Sequence, residues 1–288
     1  MQAVPFRFHR ETAPLAAMLS HFSTELTAKD AASISAAGQY LGRDAEVFIA
    51  SLPKNTVADF VSAARSLVLA KLVPVPHIVA RNISGRDHLE DLVKQLVNVG
   101  VTRALVLGGD RDHPIGQYDC ALDLIKSDVL RRHGIKRIYF GCYPEGHPRI
   151  SQEALLSALK AKLAVAKGIG HHVELISQFC FEAQPVIDFT RALRGHGIDS
   201  PLRVGVAGPA DHALLVKYAL ICGVGASMRT LQERGDLTRN MLTGVTPETL
   251  LRQVGEAMIL EPELNIVGTH FFTFGSLARS AKWARQHS

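Results

Sequence analysis

Several short stretches of this chain combine residue types able to hold or protonate a flat polar molecule. Ser23-Thr24-Glu25 carries a carboxylic acid that could donate a proton, and Gly108-Gly109-Asp110 carries a second one. Pro76-His77 sets an imidazole inside an otherwise apolar run. Tyr143-Pro144-Glu145-Gly146-His147-Pro148 gathers a phenol, a carboxylate and an imidazole. In Ser177-Gln178-Phe179-Cys180-Phe181-Glu182, the Gln178 amide offers one donor and one acceptor to a heterocycle edge. His270-Phe271-Phe272-Thr273 closes the series, and Tyr143, Phe179, Phe181 and Phe272 are rings that could stack on a flat ligand. Each residue also has a plainer reading. Glu25 could cap a helix, His77 could be a satisfied core histidine, Gly108-Gly109 could be turn glycines, and the phenylalanines could be core. What favours a site is their coincidence on one face.

That coincidence depends on the elements between them. Short β-rich apolar runs alternate with amphipathic stretches from end to end. Strands are expected over His21–Leu26, Ala45–Leu52, Val73–Arg81, Arg103–Gly109, Arg137–Tyr143, Val173–Phe179, Leu202–Ala207 and Asn265–Phe274. Helices are expected near Ala31–Tyr40, Val57–Lys71, Arg86–Val99, Tyr118–His133, Ser151–Val165, Pro185–Gly195, Ala210–Ile221 and Pro247–Leu260, with a last one from Ser276 to Arg285. Runs such as Ala104-Leu105-Val106-Leu107 are continuously apolar, as parallel strands covered by helices require. Eight strands, each followed by a helix, read as one (β/α)8 TIM barrel with a C-terminal helix, spanning residues 1–288 as a single domain. An open doubly wound sheet is the alternative. In a closed barrel all eight strand ends, and the motifs on them, open on one face. The longest insertion, Val224 to Gly244, has room for an extra short helix or a lid.

Composition narrows the function classes. Of 288 residues, 47% are hydrophobic and 20% charged, which suits a folded core and excludes a disordered or coiled-coil chain. Aromatics make up 6%, with one Trp, so stacking platforms for single-stranded nucleic acid are not expected. The net charge of +5 comes without a block of five or six basic residues and suits a ligand bearing phosphate or carboxylates. The four cysteines contain no Cys-x-x-Cys and the thirteen histidines no ligand spacing, so neither a disulfide framework nor a metal is expected. A reduced, cytoplasmic protein without signal core or membrane span is the expectation. There is no Gly-x-Gly-x-x-Gly, no Walker loop and no serine elbow.

From about Ser23 to the C-terminus the strand-end motifs resemble those of the methylenetetrahydrofolate reductase family. Tyr143-Pro144-Glu145-Gly146-His147-Pro148 matches its Tyr-Pro-Glu-x-His-Pro, and Ser177-Gln178-Phe179-Cys180-Phe181 is similar to its Thr-Gln-Phe-x-Phe. Gly109-Asp110 resembles the end of Arg-Gly-Asp, Pro76-His77 the family's Pro-His, and Ser23-Thr24-Glu25 its Ser-Phe-Glu. The later Gly208-Pro209 and His270-Phe271-Phe272-Thr273 fit more loosely.

The resemblance implies FAD at the strand C-termini, with NADH or NADPH as electron donor and 5,10-methylenetetrahydrofolate as the substrate reduced, in one-carbon metabolism serving methionine synthesis. It implies Glu25 and Asp110 as catalytic residues. His77, Gly109, Asp110, Tyr143, His147 and Lys162 would bind cofactor, and Gln178, Phe181 and Phe272 substrate. It implies neither a nucleic-acid nor a membrane partner, and leaves a homo-oligomer open. The sequence departs from the family at Thr27-Ala28-Lys29 (two prolines), Gly108 (arginine), Ala50-Ser51-Leu52-Pro53 (threonine-rich) and Ala154-Leu155 (aspartate). Pterin-facing positions are kept better than flavin-facing ones. The alternative is therefore a flavin-free folate-binding barrel acting in one-carbon transfer or demethylation, or a non-catalytic folate-binding partner subunit.

Overall fold

The computed structural model describes residues 8–30, 33–52, 55–210, 212–224 and 246–288. Its eight parallel strands are β1 Ser23–Thr27, β2 Glu46–Ala50, β3 Val73–Val79, β4 Arg103–Leu107, β5 Arg137–Cys142, β6 His172–Ser177, β7 Leu202–Ala207 and β8 Ile266–Phe272. They join in sequence order, and β1 pairs with both β2 and β8, so the sheet closes into a barrel. The open sheet is thereby excluded. Around the barrel lie α1 Phe8–Leu19, α2 Ser33–Gly38, α3 Val57–Leu69, α4 Arg86–Asn98, α5 Ala121–Lys126, α6 Val129–Arg132, α7 Gln152–Gly168, α8 Ala183–Gly195, α9 His212–Cys222, α10 Glu248–Leu260 and α11 Leu277–His287. No helix among the described residues is long and apolar enough to cross a membrane. All but Val224 of the insertion expected over Val224–Gly244 lies outside the described residues.

Local chemistry explains two of the helix starts. Thr56 and Asp59 form a reciprocal capping box that starts α3, and the Ser151 hydroxyl accepts from the Ala154 N–H to start α7. Two features depart from the sequence reading. The single helix expected over Tyr118–His133 is split, because Asp128 takes a left-handed conformation (φ 58°) between α5 and α6. The sequence reading also left out α1, which carries Pro14 inside it. This helix buries Leu15, Met18 and Leu19. It packs on α10 at Gly255, where a Cβ would stand 2.3 Å from the Pro14 carbonyl oxygen. Tertiary packing, not local propensity, holds it.

Alternation along the strands sorts the interior into layers. The floor is polar: Glu46, Glu174 and Arg203 are buried there, with Arg103 and Arg137 at its rim. Above it Phe48, Val75, Leu105, Tyr139 and Ile176 fill the middle. The top layer belongs to the strand C-terminal ends.

A candidate active site at the barrel mouth

Glu25 stands near the C-terminal end of β1, on the inward register shared with Ser23. Hydrogen bonding between β8 and β1 sets Ser23 opposite His270. The Ser23 hydroxyl lies 2.9 Å from His270 Nδ1, and both residues are buried. On the other edge of that ring, Nε2 is 4.0 Å from a Glu25 carboxylate oxygen, an electrostatic contact longer than a hydrogen bond. Glu25 is further fixed through its backbone carbonyl, which accepts from the Thr273 hydroxyl at 2.8 Å.

His77, from β3, faces the same carboxylate. Burial pushes its pKa down to about 4, opposed by the charge of Glu25 and assisted by His270. Its Nε2 is shut off from solvent and has no hydrogen-bond partner among the described residues. Burial also pushes His270 down, with Glu25 pulling the other way. At neutral pH the acid therefore lies between two neutral imidazoles. Phe48 walls the group from below, its ring 4.6 Å from that of His270 and 6.2 Å from that of His77.

A second group lies toward β4 and β5. The Tyr143 and His147 rings meet edge to face at 5.1 Å. Burial lifts the Tyr143 hydroxyl to about 12, helped by the Cys142 thiol and Asp110, so the phenol remains a donor. Burial lowers His147, as does Arg149. Asp110 is exposed just beyond β4, within electrostatic range of Tyr143, His147 and Cys222. Gly109 before it needs its φ of 106°.

The third group is aromatic. The Phe179 ring contacts those of Phe181, Phe272 and Phe274 at 5.8, 5.4 and 5.4 Å. Phe272 also touches His270 at 5.0 Å, joining this wall to the acid. The Gln178 backbone N–H donates to the Cys142 carbonyl, and its side-chain oxygen accepts from the Phe179 N–H at 3.1 Å. Its amide nitrogen has no partner among the described residues.

The structure thus brings Glu25 and His77 together, Asp110 with Tyr143 and His147, and Phe181 with Phe272. Lys162 lies elsewhere. It is on α7, with its ammonium 4.9 Å above the Phe140 ring on the helix-facing side of β5. The sequence reading put His270 on this face without a partner, and it gave Cys222 no role. Ser23 and His270 make a pair visible only once strand register is known. The end of α9 reaches the mouth, where Cys222 feels Asp110 and Glu25 and burial lifts its thiol to about 11. Leu215 and Ala219 of α9 are buried, while Leu220 and Ile221 are exposed. Among the described residues, no group of three or more His, Cys, Asp or Glu is arranged to hold a metal.

Solved structures of similar shape include a candidate lyase/mutase from Burkholderia cenocepacia J2315, at 12% identity over 95% of this chain and 85% of that one, with a TM-score of 0.50. Another is triosephosphate isomerase from Bartonella henselae, at 10% identity over 92% of this chain and 98% of that one, with a TM-score of 0.48. At 12% identity the first of these speaks to the barrel fold alone. The family match is of another kind. The sequence pattern of methylenetetrahydrofolate reductase matches residues 57–227, a span holding His77, Gly109, Asp110, Tyr143, His147, Lys162, Gln178 and Phe181. With more than half of its length matched, including the Tyr-Pro-Glu-x-His-Pro stretch, this chain belongs to the methylenetetrahydrofolate reductase family.

Proposed function

We propose that the protein reduces 5,10-methylenetetrahydrofolate to 5-methyltetrahydrofolate, with Glu25 as the acid that opens the methylene bridge. Family membership supports a folate-related reductase role. The observation that carries the finer reading is a carboxyl group at a barrel mouth, flanked by two buried imidazoles held neutral and walled by phenylalanines. A proton moves from the Glu25 carboxyl to the ring nitrogen. The carbon–nitrogen bond of the bridge then breaks, and its electron pair stays on nitrogen. Gln178 supplies an amide to the pterin edge and Asp110 an acceptor, while Phe181 and Phe272 cover the ring face.

The chemistry of the donor set fits a flavin. His77 Nε2 is a buried polar atom without a partner among the described residues, Tyr143 remains a phenol donor, and Gly109 opens the backbone beside Asp110. His77, Gly109, Asp110, Tyr143 and His147 are the residues that would hold FAD. When bound, FAD would carry reducing equivalents from NADH or NADPH to the folate.

Gly108 supports a second reading, a folate-binding barrel without flavin. It removes a guanidinium where the family carries one. Purified protein separates the two. The reductase reading expects flavin absorbance bands, nicotinamide consumption with methylenetetrahydrofolate, and a ~10²–10⁴-fold loss of rate in Glu25→Gln. Colourless protein that binds tetrahydrofolate without turnover would overturn it in favour of the second.

A further inference from the structure

We infer that His270 is a positioning residue. Oriented by Ser23, it presents its Nε2–H to Glu25 and stabilises the carboxylate that remains when the acid gives up its proton. The inference rests on the reading of Glu25 as the acid.

Geometry restricts the ring strongly. His270 is 1% exposed and Ser23 fully buried, and their side chains meet at 2.9 Å across the β8–β1 pairing. Phe48 and Phe272 contact the imidazole at 4.6 and 5.0 Å, so it has little freedom to turn. A neutral imidazole has one donor and one acceptor. If the Ser23 hydroxyl donates to Nδ1, the Nε2–H points at Glu25. In the opposite tautomer Nδ1–H donates to Ser23 and a lone pair faces Glu25, which suits only the protonated acid.

Proton transfer decides between them. The Glu25 O–H bond breaks, an N–H bond forms on the folate nitrogen, and a carboxylate is left at the barrel mouth. Nothing is oxidised in this step. A donor already aimed at the developing charge lowers its cost without reorganisation. From the 4.0 Å separation, a small approach of the two groups makes the hydrogen bond. Burial keeps His270 neutral, so it assists as a dipole and not as a cation.

The groups facing this pair are few. On the surrounding strands they are His77 of β3, Arg203 of β7 and Glu174 of β6. From α9, Cys222 faces Glu25. Arg203 is paired with Glu174 at 2.8 Å, so His270 is the donor directed at Glu25 from β8.

Side-chain ¹⁵N NMR of the imidazoles, together with kcat, KM and the pH profile, tests the inference in wild type, Ser23→Ala, His270→Gln, His270→Phe and Glu25→Gln. His270 should be the Nε2–H tautomer in wild type and a mixture in Ser23→Ala. His270→Phe should lose about 10²-fold in kcat with little change in KM. Its high-pH limb should move to higher pH, because the carboxylate has lost its donor. His270→Gln, whose amide N–H reaches the same edge, should recover part of the rate. An Nδ1–H tautomer in wild type overturns the inference. So does a His270→Phe enzyme with wild-type kcat and pH limb while Glu25→Gln is inactive. Wild-type turnover by Glu25→Gln instead removes the acid itself, and that failure belongs to the proposed reaction.

Discussion

Arg203 Nε lies 2.8 Å from a carboxylate oxygen of Glu174 on the barrel floor. The same guanidinium reaches Glu46 at 3.2 Å and donates to the His21 carbonyl at 2.7 Å. Glu46 also accepts from Arg103 and from the Tyr139 hydroxyl. Three buried charges are thus mutually compensated beneath the apolar middle layer. Removing Arg203 takes the one buried cation from between the two acids and leaves them only the rim guanidiniums of Arg103 and Arg137. Arg203→Met should cost ~3–5 kcal/mol of unfolding free energy, read from urea denaturation. A loss under about 1 kcal/mol would show that water already enters this floor.

The imidazole of His77 gives the fold a sensitivity to acid. Its pKa is about 4 when folded and near 6.5 when unfolded, so the unfolded chain binds more protons between these values. The contribution is fully present above about pH 6.5 and is lost as pH falls toward 4. The gap corresponds to at most about 3 kcal/mol, and partial exposure of the ring reduces it. Wild type should lose stability on going from pH 7 to pH 4.5, and His77→Gln should lose clearly less. Parallel pH profiles would show that His77 is protonated or hydrated in the fold.

The barrel was legible because a parallel strand covered by helices has to be apolar on both faces, and eight such runs with eight helices leave little choice of architecture. Motifs at strand ends converge by topology alone, which is why Glu25, His77, Asp110, Gln178 and His270 could be assigned to one face without coordinates. Side-chain pairing across the barrel was not legible. Ser23 and His270 are 247 residues apart and meet only through the β8–β1 register. Lys162 shows the converse limit. A motif position on a helix says nothing of which side of the strand its long side chain will cover, and Phe140 receives it. Nor was α1 legible, since Pro14 lowers its local helix preference and its buried face is defined by α10.

Gly108 and Gly109 are adjacent but have different tolerances. A Cβ on Gly109 would stand 2.4 Å from a Val79 methyl, and its φ of 106° disfavours any other residue. A Cβ on Gly108 would meet nothing closer than the Cys120 Cα, at 4.0 Å. Gly109→Ala should therefore destabilise the fold by ~1–3 kcal/mol. Gly108→Arg should unfold like wild type and, by restoring the family's guanidinium, tighten FAD binding in a fluorescence-quenching titration. A Gly108→Arg protein with unchanged FAD affinity would show that this position does not govern flavin retention.

Folate recognition is the last expectation. The Gln178 side chain is held at one end only, its oxygen accepting from the Phe179 N–H at 3.1 Å while its nitrogen has no described partner. That leaves a donor fixed in direction, since rotating the amide would break the bond to the backbone. Asp110 is exposed and untethered by any described hydrogen bond, so it reaches a ligand at little reorganisation cost. Each group lost would leave a polar edge of the bound pterin unpaired in a cavity walled by Phe179, Phe181 and Phe272. The penalty for such an unmatched group is ~1–3 kcal/mol. Calorimetric titration with tetrahydrofolate should show losses of that size for Gln178→Ala and for Asp110→Ala. Arg191→Ala, a surface change in the Glu261 ion pair, should leave affinity unaltered. Wild-type affinity in both site variants would move the folate to another part of the mouth. A loss in Gln178→Ala alone would keep the pterin against β6 and release Asp110 to the cofactor side.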